Sequence, residues 1–432
     1  MAGVAKAAAG ATVAVAMVAG TAHACGLLGG GNVAPGPELS PTARPQAVEQ
    51  AAGQVAERVV AAEGAAPPAR QTLIGDGSTA FSGAQPGLDR PARLAPGARP
   101  PQFVVFSWDG AGEDDNRLFS RFRELGRRYN VTQTFFLSGI YLLPERQRMR
   151  YRPPGHPRGA SAISYLGEAS IRRTVDEIRR AWLEGHEIGT HFNGHFCGPG
   201  GVGSWTPRQW RSEIEQARWF VKNWKTTTGW RDLPPFPFDY DRELIGGRAP
   251  CLEGRANLRR AAREMGFRYD SSGVGEQVWP RRVDGLWDLP LQQVPMPGRP
   301  FEVLTMDYNF MANQSRRSLG RTGARAAWRD QMSQGLLRGF HRAYAGNRAP
   351  MIIGNHFERW NGGIYMEAVE EVMRTVCVKA EVRCVSFREL VDWLDAQDPA
   401  VLRELRRLDV GQRPAAWPGG DGADSGPVLS AP

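Results

Sequence analysis

With 432 residues and 41% hydrophobic composition, the chain is long enough for one large core or two smaller ones. Lysine and arginine number 54 against 45 acidic residues, a formal charge of +9, and the only lysines are Lys6, Lys222, Lys225 and Lys379. A basic surface suits anionic wall polymers or nucleic acid, but no Lys/Arg run, zinc-finger spacing or aromatic–basic RNA motif is present, so nucleic acid is not an expected partner.

In chain order, residues 1–24 read as an export signal: Lys6 is the positive start, 7–20 an apolar stretch, and Ala22-His23-Ala24 a small-x-small cleavage site. The apolar stretch is too short and too rich in Ala and Gly for a membrane span. Cys25 follows at once, so the expectation is an exported chain, extracellular, either a lipoprotein anchored through Cys25 or secreted free. Ala22 and His23 are unusual before a bacterial lipobox. Residues 25–100 are rich in Gly, Ala and Pro, with one short helical stretch at 46–63, and read as a disordered tether.

At Gln102 the character changes. Phe103-Val104-Val105-Phe106-Ser107-Trp108 is a nearly continuous apolar run of the kind found in buried parallel strands. Further strands are predicted at 134–138, 187–190, 302–306, 351–355 and 383–386, and helices at 115–129, 168–184, 207–226, 255–266, 326–345 and 363–377. Thr206 is a good N-cap and Pro207 suits a first turn. The stripe Trp210, Ile214, Ala217, Val221 and Trp224 has helical period and reads as core rather than a sugar platform. Alternating strands and helices over 101–397 predict an α/β domain, either a parallel barrel or a doubly wound sheet. Residues 398–432 carry one amphipathic stretch at 401–408 and then a disordered tail.

Cys197, Cys251, Cys377 and Cys384 fall in the globular region, where export permits two disulfides. The preferred pairing is Cys377–Cys384 as a local clip with Cys197–Cys251, leaving Cys25 as the odd residue a lipid would use.

Candidate chemistry centres on His191 and His195 in Gly-Thr-His-Phe-Asn-Gly-His-Phe, two of only 7 histidines. Imidazoles four apart fall on one side of a helical turn and can reach one metal ion. Asp109 directly follows the first strand of the domain, beside Gly110, where a carboxylate can be general base or metal ligand. Arg248, in Gly-Gly-Arg-Ala-Pro-Cys, can orient a carboxylate. His356 ends the strand Met-Ile-Ile-Gly-Asn-His and suits a general acid. Asp307 either tunes a histidine or caps a loop. Most of these residues lie at C-terminal strand ends. His186-Glu187-Ile-Gly-Thr-His191 departs from the zinc-protease helix motif in spacing, and neither Gly-x-Ser-x-Gly nor a Walker motif occurs.

The ordered segments resemble the NodB-homology polysaccharide deacetylases, carbohydrate esterase family 4, over about 103–396. Phe106-Ser107-Trp108-Asp109-Gly110 stands at the family's Thr-Phe-Asp-Asp motif, and His191-Phe-Asn-Gly-His195 at its His-x-x-x-His motif. Arg248-Ala249-Pro250-Cys251, with Gly266-Phe267-Arg268-Tyr269-Asp270-Ser271-Ser272, is similar to the third motif and most like chitin-deacetylase-like members. The segment 352–356 stands at the closing Leu-x-His motif.

The resemblance implies a distorted (β/α) barrel and metal-dependent hydrolysis of N-acetyl groups on a cell-wall or other extracellular polysaccharide, peptidoglycan or chitin-like. By position, Asp109 would be the base, His191 and His195 the ligands of a divalent metal (zinc, or cobalt), and Arg248 the group that orients Asp109. The Cys251 amide would be part of an oxyanion hole and His356 the acid. The family's second Asp is Gly110 here, leaving two histidines where catalytic zinc normally has three protein ligands. Glu113, Asp114 or Asp115 reaching in, Asp109 ligating, or a decayed site would each account for that. The alternatives in function are an inactive glycan-binding lipoprotein on the same fold and an O-acetyl esterase.

Overall fold

The computed structural model describes residues 71–88, 90–315 and 322–419. The expected export signal, Cys25 and the stretch at 46–63 lie outside the described residues. The strands are β1 (Thr72–Ile74), β2 (Thr79–Phe81), β3 (Gln102–Asp109), β4 (Thr134–Leu137), β5 (Glu187–Thr190), β6 (Gly246–Gly247) and β7 (Tyr269–Asp270). They continue with β8 (Val274–Gly275), β9 (Arg281–Val283), β10 (Leu286–Asp288), β11 (Leu291–Pro295), β12 (Glu302–Leu304), β13 (Met351–His356) and β14 (Val382–Cys384).

The main sheet runs β13-β3-β4-β5-β6-β7-β10-β9, with β14 also on β3. All of these pairings are parallel except β10–β9. Helices Leu118–Tyr129, Glu168–Leu183, Pro207–Lys222 and Arg255–Glu264 connect β3 through β7 in turn, and Ile364–Val376 connects β13 to β14. The result is a curled parallel sheet, an open half-barrel, as the expected distorted (β/α) barrel requires.

Period-two alternation divides the core. Along β3, Val104, Phe106 and Trp108 join one apolar cluster with the long helices, while Phe103 and Val105 join a second with the helix Phe387–Ala396. Phe135 and Leu137 of β4 fall in the first cluster and Phe136 in the second; Ile353 and Ile352 of β13 divide likewise. Asp109, two residues beyond Ser107, therefore projects from the same face as Phe103 and Val105. In β13 the parity of Ile352 carries to His356, and the ladder sets His356 directly against Asp109.

Thr206 caps Pro207–Lys222 through a capping box with Gln209. Asn223 breaks the predicted 207–226 helix before Trp224–Thr228. Trp210 and Trp224 are fully buried, so the tryptophan stripe is core.

Three expectations are corrected. The tether does not extend to residue 100: β1 and β2 form an antiparallel ribbon, and Trp224 Nε1 donates to the Ser78 carbonyl at 2.9 Å. Gln85 Nε2 donates to the carbonyls of Trp182 and His186. Nor does the chain after the last helix, Pro399–Leu405, leave the fold at once: Gly97 N donates to Pro418 O. Strands of three residues amid Gly, Ala and Pro show no alternation to read. Finally, the strand expected at 302–306 is β12, which pairs antiparallel with β11 in a separate three-stranded sheet, and an isolated bridge joins Met306 to Gly354 of the main sheet.

Candidate active site

The C-terminal ends of β3, β5, β6 and β13 bring Asp109, His191, Arg248 and His356 to one mouth. Arg248 is fully buried. Its Nη1 donates to Asp109 Oδ1 at 2.8 Å, its Nη2 to Ser271 Oγ at 2.8 Å and its Nε to Ser271 O at 3.1 Å. Ala249 N donates to Ser272 Oγ, fixing the backbone that carries the guanidinium. Burial alone would raise the Asp109 pKa, but Arg248, then His191 and His356, outweigh it and hold the carboxyl below its ordinary value.

His356 is the opposite case. Its Nδ1 donates to Asp307 Oδ1 and its backbone N to Asp307 Oδ2, both at 2.8 Å. Burial would lower its pKa, yet the Asp307 carboxylate, with Asp109 and Glu358, raises it to about 9. Asp307 is fully buried, and burial raises its own pKa against the pull of His356. The proton of this pair sits on the imidazole. Asp307 both caps its loop, accepting from Tyr308 N, and tunes the histidine.

His191 and His195 have ring centroids 5.0 Å apart. They are not brought together by a helical turn, as the spacing suggested. They sit in a loop with two left-handed residues, Phe192 (φ 62°) and His195 (φ 55°). Phe192 is anchored edge-on to Trp210 and by its N–H on Thr190 Oγ1. His191 Nδ1 donates to the Arg248 carbonyl at 2.8 Å, which leaves Nε2 with its lone pair, buried and without a hydrogen-bond partner. Burial pushes the His191 pKa down to about 3 and also lowers that of His195, so both rings are neutral at ordinary pH and able to donate a lone pair.

A neutral His191, with an orphaned Nε2 and its Nδ1 held by a carbonyl, fits one position of a metal site, and the neutral ring of His195 beside it fits a second. Among the described residues, none of the three acids expected to reach in is in place as a third donor. Glu113 accepts from Ser120 N, Asp114 from Asn116 N, and Asp115 is exposed and paired with Arg173. Gly110, where the sequence resemblance would place an Asp, has φ +67°, and the atoms nearest a Cβ there would be Tyr141 Oη at 3.7 Å, Tyr141 Cε2 at 3.8 Å and Ser138 Oγ at 3.9 Å. Among the described residues, the one trio of His, Cys, Asp or Glu donors all within 4.8 Å of one another is His195, Cys197 and Cys251. Its two sulfurs are joined: Cys197–Cys251 is a disulfide, as is Cys377–Cys384, both as expected from the sequence. Cys251, at φ 54°, therefore ties the loop after β6 to the histidine loop after β5.

Two groups of supporting residues were not visible as such in the sequence. Ser271 and Ser272 were read only as part of a motif, and their grip on Arg248 and Ala249 had no signal beyond a polar pair following β7. Gly354 leaves the space these side chains occupy: a Cβ would stand 3.0 Å from Arg248 Nη1 and 2.9 Å from Leu291 Cδ2 and Met306 Cε, so they would have to shift.

No family model matches the chain, and no curated protein matches it. Among solved structures it is similar to a candidate polysaccharide deacetylase from Mycobacterium smegmatis, at 17% identity and TM-score 0.46 over 71% of this chain and 94% of that one. It is also similar to a family 4 acetyl xylan esterase from Clostridium thermocellum solved with a cobalt ion, at 17% identity and TM-score 0.36 over 70% and 96%. A third is a carbohydrate esterase family 4 pseudoenzyme from Bacillus anthracis, at 11% identity and TM-score 0.37 over 75% and 73%.

Proposed function

We propose that this chain is a hydrolase that removes acetyl groups from an extracellular or cell-wall polysaccharide, with N-acetyl amides as the first substrate class. The observation that carries the reading is a carboxylate held ionised and an imidazole held protonated, opposite one another across the β13–β3 ladder. In this reading Asp109 takes a proton from the attacking water, with Arg248 fixing the orientation of its carboxylate. His356 donates its proton to the departing sugar amine, and the Cys251 amide supports the oxyanion. His191 and His195 would hold a divalent ion, zinc or alternatively cobalt. The chemistry such an ion would supply there is polarisation of the acetyl carbonyl and acidification of water.

The test is acetate release from N-acetylated chitin oligomers, peptidoglycan and O-acetylated xylan by zinc-supplemented protein, with His195→Ala as control. Release lost in the control supports the reading, and release retained by it refutes the assignment. Faster release from xylan than from the amides would make the chain an O-acetyl esterase.

The missing third donor beside Gly110 favours a second reading, a glycan-binding protein on the same fold. Its signature is co-sedimentation with insoluble peptidoglycan or chitin, insensitive to chelator and without acetate release. Export, with a lipid on Cys25, belongs to the same proposal. Incorporation of labelled fatty acid into the wild-type chain but not Cys25→Ser checks it, and an unlabelled mature protein refutes the anchor.

A further inference from the structure

The Cys197–Cys251 disulfide lies against one ring of the histidine pair. Cys197 Sγ is 3.7 Å from His195 Nδ1. With Zn–N near 2.0–2.1 Å, Zn–S near 2.3 Å and tetrahedral angles, an imidazole nitrogen and a thiolate on one zinc stand about 3.6 Å apart, and two thiolates about 3.8 Å. The nitrogen–sulfur spacing of a ligand pair is thus already present. The Cα atoms of the cysteines are 6.0 Å apart, so separating the sulfurs calls for side-chain rotation without moving the loops apart. All three residues are half-buried, within reach of a small reductant.

We infer that Cys197, Cys251 and His195 form a second, redox-gated metal site, closed while the disulfide stands and opened by its reduction. A dithiol reductant transfers two electrons and two protons to the disulfide and is itself oxidised to a disulfide. The S–S bond breaks and two thiols form. A zinc or cobalt ion then binds both sulfurs and His195 Nδ1, the two thiol protons leave to solvent, and one coordination position stays open for water.

The gate reaches the hydrolytic site because a neutral imidazole has one lone-pair nitrogen. In the disulfide form Nδ1 faces sulfur, a weak acceptor, and Nε2 is the nitrogen left for the ion shared with His191. Once Nδ1 is a ligand, the ring proton moves to Nε2, and His195 no longer offers that nitrogen to His191's ion. Reduction therefore exchanges a two-histidine site for a two-cysteine, one-histidine site that uses the same ring.

The test uses the full chain and Co²⁺ alone, with absorption as readout, so it is independent of acetate release. Cys377→Ser/Cys384→Ser protein removes the other disulfide from consideration. Reduced under nitrogen, it is expected to bind one cobalt per chain with thiolate-to-cobalt charge-transfer absorption in the near ultraviolet, absent from the oxidised form. Cys197→Ser/Cys251→Ser should lack the band, and His195→Ala should bind at least tenfold more weakly. Circular dichroism establishes that each variant is folded, and single Cys197→Ser serves should the double variant not fold. Absence of the band from folded, reduced protein overturns the inference, as does its persistence in the Cys197/Cys251 variant. Because acetate release is not read, failure here leaves the hydrolase reading standing.

Discussion

Replacing Asp307 with Asn removes one charge from beneath His356 while nearly keeping the shape of the side chain. In the native chain both Asp307 oxygens hold His356, whose side chain is 25% exposed, and the imidazole pKa lies at about 9 rather than 6.5. That difference is worth roughly 3 kcal/mol of preference for the imidazolium. Burial is the largest influence on this ring and acts downward, so without the Asp307 charge the pKa is expected near or below 6.5. At pH about 7.5 the protonated fraction then falls from nearly all to about a tenth, and a reaction that needs the proton slows about tenfold or more.

The sign for stability follows from the same pair. Because the folded pKa is raised, the contribution is fully present below pH 6.5 and is lost as pH rises through about 9. Native protein should lose stability across that window, by up to roughly 3 kcal/mol, and Asp307→Asn should not. Proton NMR titration of His356 in metal-free protein, alongside urea melts at pH 6 and 9.5, measures both. A His356 that still titrates near 9 in Asp307→Asn would show that Asp307 is not what holds the proton, and the acid role built on it would fall.

Gly110→Asp places a carboxylate where neighbours leave room, at a left-handed φ that Asp tolerates better than most residues. Zinc affinity should rise roughly 10-fold or more by competition with a chromogenic chelator, on the scale of adding a ligand; unchanged affinity would mean that this position does not face the histidines. Ser271→Ala deletes the hydroxyl that accepts from Arg248 Nη2, and a cost of roughly 1–2 kcal/mol in urea melts is expected, with kcat falling more than KM rises. An unchanged kcat would remove Ser271 from the support of Arg248. Loop-closure entropy separates the disulfides: Cys197–Cys251 spans 54 residues and Cys377–Cys384 spans 7, so their removal as Ser pairs should cost roughly 4 and 2 kcal/mol. Equal losses in denaturant melts would point to local strain relief or residual unfolded structure instead.

The parts of this molecule that were readable in the sequence are those whose local pattern and tertiary role agree. β5 has the bounds expected for it, and β3, buried on both faces, carries a nearly continuous apolar signal. Asp109 and His356 stood out because each ends such a run with a polar group. From 240 to 295 the strand signal fails, although the helix expected at 255–266 is present: β6 and β7 have two residues each, too few to show a period, and Gly246–Gly247 have no side chains to pattern. The histidine spacing suggested a helix because four-residue separation is shared by helices and by a loop with two left-handed residues. That none of the nearby acids joins the histidines was not legible either. Glu113, Asp114 and Asp115 lie close in sequence, and only the folded chain directs each of them to other partners.

The register of β13 on β3 has a consequence for how such a molecule changes over time. Asp109 and His356 are direct neighbours in one parallel ladder, where strands lie about 4.8 Å apart. The distance between them is therefore set by main-chain pairing in the middle of the sheet, not by the surrounding loops. Loops around the mouth are free to lengthen, shorten or be exchanged, while Asp109 and His356 keep their spacing. If the chain is the hydrolase proposed above, specificity and proton transfer are carried on different parts of it, and one can drift without disturbing the other.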